Sequence, residues 1–483
     1  MRQRTVPITT SSAGRLVALL SAGFICTHAQ VDPDLWGHLR FGLDTLHTRT
    51  LPSIDPYSFT HDVPWINHEW LSEAFTAIVY RAGGVLGLVL LKAALLAATF
   101  ACLAATTRRL SSPHRWWLLA AGFIGVATAA YTIRPQLWTL LGVPLLWHAL
   151  HDRRWLPAIP LLFAAWANLH GGWIVGIGIG ALWLIGRAID RRADGPPVVE
   201  AAALATALFA TLLNPYRWQL WEFLLSTVRV SRNITEWRPV WEQADLSSAL
   251  TWALVMCVIV IPTVARRRST ITLAGALPVA ALAMMSLLVS RLVPLFSEVA
   301  LLGLASAWPS AATSDAPAVG QPRSHTIVDA LALAAVCAFN LVPESRCLPI
   351  HDAWTPDLRA AAAFDAPAAQ GRLVLPFNWG EYAIWHWAPR LRVSIDGRRE
   401  TVYSDGVIAT QADAARGLPE GLDYLKRVRP EYVWLSTAAG ARAATWLTAN
   451  GYRLDADTDR SYIATRADLP RLTLGAPKSG CFP

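Results

Sequence analysis

Charge is the property this sequence has least of. Only 16% of its 483 residues are charged, against about 25% in a typical soluble domain. Lysine is nearly missing: Lys92, Lys426 and Lys478 are the only three, so the formal net charge of +8 is carried almost wholly by Arg. These Arg sit in short loops between apolar runs. No basic stripe with interleaved aromatics is left over, which excludes nucleic acid as a partner. Cysteine is also scarce, with six in all, and Cys26, Cys102, Cys257 and Cys337 fall inside apolar runs, where Cys is a small apolar filler. What the chain does have is apolar surface: 54% hydrophobic residues, a mean hydropathy of +0.34, and 23 Trp. Trp favours the headgroup level of a bilayer.

The apolar runs cover residues 14–29, 84–106, 116–131, 136–150, 155–169, 172–187, 199–213, 249–265, 270–289, 292–309 and 326–342. Runs near 20 residues read as membrane helices, so the expected fold is mainly α, a polytopic membrane helix bundle of about eleven spans. Arg2, Arg4 and Arg15 lead into the first span. Arg108, Arg109 and Arg115 follow the second, Arg153 and Arg154 the fourth, Arg187, Arg191 and Arg192 the sixth, and Arg266, Arg267 and Arg268 the eighth. Every second loop is Arg-rich and is therefore cytoplasmic by the positive-inside rule; the loop at 310–325 carries little charge. The first span lacks a small-residue cleavage site and reads as an uncleaved anchor. This places the N-terminus in the cytoplasm of a bacterial inner membrane and the C-terminal segment outside, in the periplasm of a Gram-negative cell.

Residues 1–345 form the expected transmembrane domain, with a first outer loop at 30–83, and residues 346–483 a small extracytoplasmic α/β domain. In the latter, Leu373-Val374-Leu375, Val393-Ser394-Ile395, Tyr432-Val433-Trp434-Leu435 and 461–466 read as strands, and 438–449 as a helix. Cys347 and Cys481 bracket this segment; in an oxidising compartment they are candidates for a disulfide or are two free thiols.

The first outer loop is the richest in reactive groups. It opens with Asp32-Pro33-Asp34-Leu35-Trp36-Gly37-His38-Leu39-Arg40 and continues through Asp55-Pro56-Tyr57-Ser58 to Asn67-His68-Glu69-Trp70-Leu71-Ser72-Glu73. If 34–47 is helical, Asp34 and His38 share a face at i, i+4, and Leu35, Leu39, Leu43 and Leu46 form an apolar stripe suited to a membrane surface. Residues 68–82 make a second such helix. One acid of the Asp32/Asp34 pair serves as a helix cap; the second, near a His, marks a site. Asp55-Pro56 reads as a turn. His68-Glu69 is half of a zinc-protease motif, but the second His is replaced by Ser72, so that reading fails. A divalent metal held by Asp32 or Asp34 with His38 and His68 stays open.

Other polar residues fall on the same predicted face: Arg134 and Gln136, Asn168 and His170, Asn214-Pro215-Tyr216-Arg217, Glu236-Trp237-Arg238-Pro239, and Arg291. Lys92 lies about 12 Å into the second span at 1.5 Å per residue. An ionisable residue there defaults to a functional hypothesis, with snorkelling as the alternative. Gly172, Gly176 and Gly180 recur every fourth residue, a close-packing helix face rather than a phosphate cradle. In the outer domain Asn378-Trp379-Gly380-Glu381-Tyr382 and Asp396-Gly397-Arg398-Arg399 stand out, the Asp-Gly pair as a turn after a strand.

A first outer loop with an acidic pair directly after the first span, two surface helices, and the elements Asp55-Pro56-Tyr57-Ser58, His68-Glu69-Trp70-Leu71, Asn168-Leu169-His170-Gly171 and Asn214-Pro215-Tyr216 resembles the GT-C superfamily of membrane glycosyltransferases. Within it, the likeness is to the bacterial RgtA/B/C/D-like relatives and covers about residues 14–342. The resemblance implies a polyprenyl-phosphate-linked sugar donor used from the extracytoplasmic side, with an acidic residue of the first outer loop as base or metal ligand. Those roles fall on Asp32 and Asp34. Mannosyl- and aminoarabinose-transferring members often carry an Asp-Glu pair and a Lys-Pro-Pro element in this loop. Here Asp32-Pro33-Asp34 and Asn67-His68-Glu69 stand instead, which leaves the donor open.

The chemistry agrees with the resemblance. Transfer to a hydroxyl requires a base within hydrogen-bond reach and cations to hold the departing phosphate. Asp34 is the candidate base, with Asp32 or Glu69 as helper and His68 to orient the acceptor. Lys92, Arg134 and Arg291 are candidate phosphate partners; His38, Arg40, Asn168, His170 and Tyr216 are candidate sugar or phosphate contacts. The acceptor is a glycan, lipid or protein, and membrane lipid is the surrounding partner. Two other readings remain: a transporter or flippase for a lipid-linked sugar, favoured by Lys92, and a non-catalytic scaffold presenting the outer domain.

Overall fold

The computed structural model describes residues 10–110, 112–190, 195–229, 235–308, 323–350 and 355–483. Arg2, Arg4, Arg191, Arg192 and residues 309–322 of the low-charge loop lie outside them. The chain is mainly helical with a small C-terminal sheet. It divides into two compact units, one of Met1–Ala29, Leu88–Gln219 and Val228–Arg346, the other of Gln30–Gly87, Leu220–Thr227 and Cys347–Pro483. The first outer loop and the C-terminal segment therefore belong to the same unit.

In the first unit each apolar run contains helix. Among the described residues four helices are long and apolar enough to cross a membrane: Trp70–Thr107, Ser247–Arg267, Ser290–Ala307 and Thr326–Arg346. Ser11–Thr27, Ala158–Leu169, Trp173–Ile189, Val198–Ala210 and Leu273–Leu288 are shorter apolar helices. Trp70–Thr107 is interrupted at Gly84 (φ 57°, ψ −145°), a left-handed backbone that glycine tolerates without steric cost. That break separates the expected surface helix from the span that follows it. The glycine face packs as its spacing implies: a Cβ on Gly176 would collide with Trp166, and one on Gly180 with Leu204.

In the second unit, seven strands are labelled β1 (Leu348–Pro349), β2 (Gly371–Val374), β3 (Leu391–Val393), β4 (Tyr432–Ser436), β5 (Tyr452–Asp457), β6 (Ser461–Arg466) and β7 (Cys481–Phe482). Five make one sheet in the order β3-β2-β4-β6-β5, with β2 parallel to both β3 and β4 and the β4-β6-β5 part antiparallel. β1 pairs with β7, and Cys347 and Cys481 beside them are disulfide-bonded. The sheet's two faces are covered by different helices. Val433 and Leu435 pack with Val374 of β2 and with Ala414, Leu425, Ala443 and Leu447 from the helices Asp405–Arg416, Pro419–Val428 and Thr437–Ala449. Tyr432 and Trp434 point the other way, as strand alternation requires, and meet Phe364, Trp379 and Trp387.

The first outer loop completes this sheet's edge. Ser58 bridges Val393 in parallel, with Val393 N donating to Tyr57 O (3.0 Å) and Phe59 N to Val393 O (3.1 Å). An open strand edge is thereby covered. The helix Asp34–Thr48 forms as expected; of its apolar stripe, Leu35 and Leu39 turn into protein while Leu43 and Leu46 stay partly exposed. Leu35, Trp36 and Leu39 are wholly buried in protein, and Trp36 packs edge-on against Tyr382 (5.2 Å) and beside Phe482 (5.2 Å). Burying each such side chain out of water contributes about 1.5–3 kcal/mol, which holds this helix on the helix Gly380–Trp387.

Candidate active site

Asp32 and Asp34 divide the two roles open to them. Asp32 is 1% exposed. Its Oδ1 accepts from Asp34 N (2.8 Å) and its carbonyl from Leu35 N (3.2 Å), so it secures the start of the helix. Asp34 is the first helical residue, and its carboxylate meets a second acid, Glu381, which the sequence singles out but does not pair with it. The point where a Cβ on Gly397 would stand is 2.5 Å from Asp34 Oδ1 and 2.6 Å from Glu381 Oε1. The two oxygens are thus at most about 5 Å apart. One turn further on, Gly37 is the gap that admits Glu381, since a Cβ there would collide with its carboxylate.

Glu381 is buried, and its Oε2 has no hydrogen-bond partner. Burial, then the charges of Asp34 and Asp396, push its pKa well above the usual carboxylate range. Two carboxyls this close do not readily ionise together. These forces favour a neutral Glu381 carboxyl beside Asp34.

What fixes Gly397 in place is a buried ionic knot on its two neighbours. Arg398 donates to both oxygens of Asp55 (2.6 and 2.9 Å) and to both of Asp396 (2.8 and 2.7 Å). Its guanidinium lies over Phe41 (4.8 Å), Trp65 (4.7 Å) and Tyr57 (5.3 Å), and Tyr403 OH donates to Asp396 (2.6 Å). Burial opposes the charge on Arg398, yet Asp396 and Asp55 outweigh it and raise its pKa. Burial likewise opposes ionisation of Asp396, and Arg398 more than compensates. Asp55 also accepts from Tyr57 N and Ser58 N (3.0 Å each), which makes the turn read from Asp55-Pro56.

A second group lies one turn along from Asp34. His38 Nδ1 is 3.0 Å from Glu73 Oε1, and Asn67 Nδ2 donates to Glu73 Oε2 (2.6 Å). Burial disfavours an imidazolium there, but the bond to Glu73 and the charges of Glu69, Glu73 and Asp34 prevail, raising the His38 pKa to about 9. His68 Nε2 is 3.6 Å from Glu69 Oε1, with its ring against Phe223 (5.3 Å). Arg40 is turned to Asp44 (2.7 Å). Among the described residues no three His, Cys, Asp or Glu side chains are placed to share a metal ion. Asp32, Asp34, His38 and His68 thus do not assemble into a ligand set.

The remaining candidates lie in the first unit. Arg134 (3.3 Å) and Arg291 (2.9 Å) converge on one carboxylate, Glu236, and Arg291 also reaches Gln136 (3.4 Å). Burial raises and the two Arg lower the Glu236 pKa; the net shift is downward. Asn168 Nδ2 donates to Ala164 O (2.8 Å) and Leu213 O (2.9 Å), bracing a turn. His170 Nδ1 is 2.7 Å from Thr139 Oγ1 and accepts from Gly172 N. Tyr216 N donates to Asn214 Oδ1 (2.8 Å). Lys92 is wholly buried, with Nζ donating to Ile25 O (2.9 Å) and Cys26 O (3.0 Å). It satisfies carbonyls of the last turn of Thr10–Thr27 that the helix leaves unpaired, a capping role.

No family model matches the sequence, and no curated protein matches it. Solved structures do. ArnT from Cupriavidus metallidurans, bound to undecaprenyl phosphate, matches at a TM-score of 0.54 and 12% identity over 95% of this chain and 97% of that one. The oligosaccharyltransferase AglB from Archaeoglobus fulgidus, in complex with an inhibitory peptide and a dolichol-phosphate, gives 0.53 and 11% over 94% and 75%. The arabinofuranosyltransferase AftD from mycobacteria gives 0.50 and 16% over 94% of this chain but only 39% of its own length. This chain therefore spans well under half of AftD. The chain has the fold of the GT-C membrane glycosyltransferases.

Proposed function

We propose that this protein is a membrane glycosyltransferase. It moves a sugar from a polyprenyl-phosphate donor to an acceptor hydroxyl on the extracytoplasmic side of a bacterial inner membrane. The observation that carries the reading is the Asp34–Glu381 pair at the head of the first-loop helix, in a chain with the GT-C fold. The solved relatives bound to undecaprenyl phosphate and to dolichol-phosphate support the donor class.

In this reading Asp34 accepts the proton of the acceptor hydroxyl. The acceptor oxygen bonds to the anomeric carbon, and the carbon–oxygen bond to the donor phosphate breaks with its electron pair leaving on phosphate. Glu381, held toward its neutral form by burial, does not compete with Asp34 for that proton. Asp32 holds the helix start that aims Asp34. His38, kept cationic by Glu73, is available to the leaving phosphate, and Glu69 and His68 to the acceptor. We also propose the division of the chain at 345/346 into a membrane part and an extracytoplasmic part, with the N-terminus cytoplasmic.

The test is transfer from a panel of polyprenyl-phosphate sugars by the full chain in nanodiscs, beside Asp34→Asn. Removing a general base typically costs about 10²–10⁴-fold in rate. The expected result is transfer by wild type and a loss of at least 100-fold in a folded Asp34→Asn. Equal transfer by both would remove Asp34 from the role, and an inert wild type across the panel would overturn the enzyme reading.

A further inference from the structure

The C-terminal sheet has a feature that the transfer chemistry does not use. β2 and β4 are parallel neighbours, yet the chain leaves them toward opposite faces. From β2 it passes through Pro376–Trp379 into the helix Gly380–Trp387, on the Trp434 face of the sheet. From β4 it passes through Ser436 into Thr437–Ala449, on the Val433–Leu435 face. Neighbouring parallel strands whose exits diverge in this way define a topological switch point, where a crevice opens outside their carboxyl ends and ligands bind.

A cavity of about 490 Å³ lies there, lined by both exits and by the turn between β5 and β6. That volume falls within the range of about 300–1,000 Å³ usual for small-molecule sites. Trp379 gives the cavity a rigid aromatic surface, since its ring is braced against Trp434 (4.8 Å), and Phe377 gives a second. Around them stand an exposed amide on Asn378, hydroxyls on Ser436 and Thr437, the exposed carboxylate of Asp459 and the guanidinium of Arg460.

These groups select a ligand class. One acid and one base cancel, so the lining favours neither an anion nor a cation. Amide, hydroxyl, carboxylate and guanidinium together offer donors and acceptors side by side, which suits a ligand whose hydroxyls each donate and accept. The aromatic faces suit the apolar C–H face of a sugar ring. We propose that this cavity is a saccharide-binding site of the C-terminal segment, separate from the Asp34–Glu381 pair and joined to it by one turn, because Trp379 lines the cavity and Glu381 follows two residues later. Its use to hold the non-reacting part of a glycan acceptor rests on the transferase reading; the binding itself does not.

The experiment uses the full chain in nanodiscs and free neutral trisaccharides of glucose, galactose, mannose and rhamnose. It is read by saturation-transfer NMR and by tryptophan fluorescence. Asn378→Ala/Asp459→Ala removes two exposed polar groups and leaves the aromatic core, so the variant is expected to keep the wild-type thermal midpoint. The expected result is saturable binding of at least one trisaccharide, weakened tenfold or more in the variant. Absence of binding by all four, equal binding by wild type and variant, or preference for inorganic phosphate over every trisaccharide would each overturn the proposal. None of these outcomes bears on transfer from a lipid-linked donor, which the Asp34→Asn comparison tests by itself.

Discussion

Replacing Arg398 by Met tests whether the ionic knot holds the Asp34–Glu381 pair in place. The change keeps much of the side-chain volume among Phe41, Tyr57 and Trp65, and a thioether packs well against aromatic rings. It removes the charge, however, and strands two buried carboxylates, Asp55 and Asp396, which are 1% and 0% exposed. Removing one partner from a buried ion pair costs about 3–5 kcal/mol, because the remaining charge stays desolvated. At about 2–4 °C per kcal/mol for a unit of this size, the thermal midpoint of the unit falls by about 6–20 °C, read by tryptophan fluorescence of the full chain in detergent. The pH dependence has a definite sign. Arg398 holds the Asp396 carboxyl below its usual range, so its contribution is present above the ordinary carboxylate pKa of about 4 and is lost as pH falls through the depressed value. The variant lacks that contribution, so its deficit is largest at neutral pH and narrows on acidification. A midpoint within about 2 °C of wild type, or a deficit that grows toward acid, would refute the reasoning.

His38 gives the opposite pH signature. Its pKa is raised to about 9, so its contribution is fully present below about 6.5 and lost as pH rises through about 9, with an upper bound of about 3 kcal/mol from the shift. The stability gap between wild type and His38→Gln is expected to be widest near pH 6 and to close near pH 10; a gap independent of pH contradicts the His38–Glu73 assignment. The disulfide joins residues 134 apart in sequence. Closing a loop of that length is worth about 5 kcal/mol on the chain-entropy view. Cys347→Ser/Cys481→Ser should therefore lower the denaturant midpoint clearly, and an unchanged midpoint would show that the bridge constrains little.

The parts of the fold legible in the sequence are those where local pattern decides the outcome. Apolar runs become helices because a helix satisfies its own backbone in an apolar setting, and the break at Gly84 falls at the boundary between the helix of 68–82 and the apolar run from 84. Tyr432-Val433-Trp434-Leu435 reads as a strand for its β-branched and aromatic content. β5, with the sequence Tyr452-Arg453-Leu454-Asp455-Ala456-Asp457, escapes notice because acids interrupt it. Asp32 and Asp34 are visible because a pair of acids at the end of a span is unusual. Glu381, Asp396 and Arg398 are visible only as odd residues, since Asp396-Gly397 looks like any turn after a strand and their partners Asp34 and Asp55 lie more than 340 residues earlier. Lys92 is the reverse case. A lone cation in a span suggests a phosphate, but its partners are carbonyls of another helix, and no sequence pattern marks a free carbonyl.

The ties between the first outer loop and the C-terminal segment explain why the loop's acids need that segment. Asp55 finds its counterion at Arg398, Asp62 accepts from Ser404 N and Oγ, residues 57–59 cover the β3 edge, and Trp36 packs beside Phe482. Each tie satisfies a group that would otherwise be buried unpaired or left exposed, so the loop and the segment have a common stability. The partner of Asp34 belongs to the same set. Glu381 reaches Asp34 because Gly37 and Gly397 carry no side chains, and Gly397 is held by the Asp396 and Arg398 contacts on either side of it. A change at Asp55, near the middle of the loop, is therefore transmitted through Arg398 to Gly397 and from there to the spacing of the two carboxyls. That spacing and the burial of Glu381 are therefore not set by residues of the first loop alone.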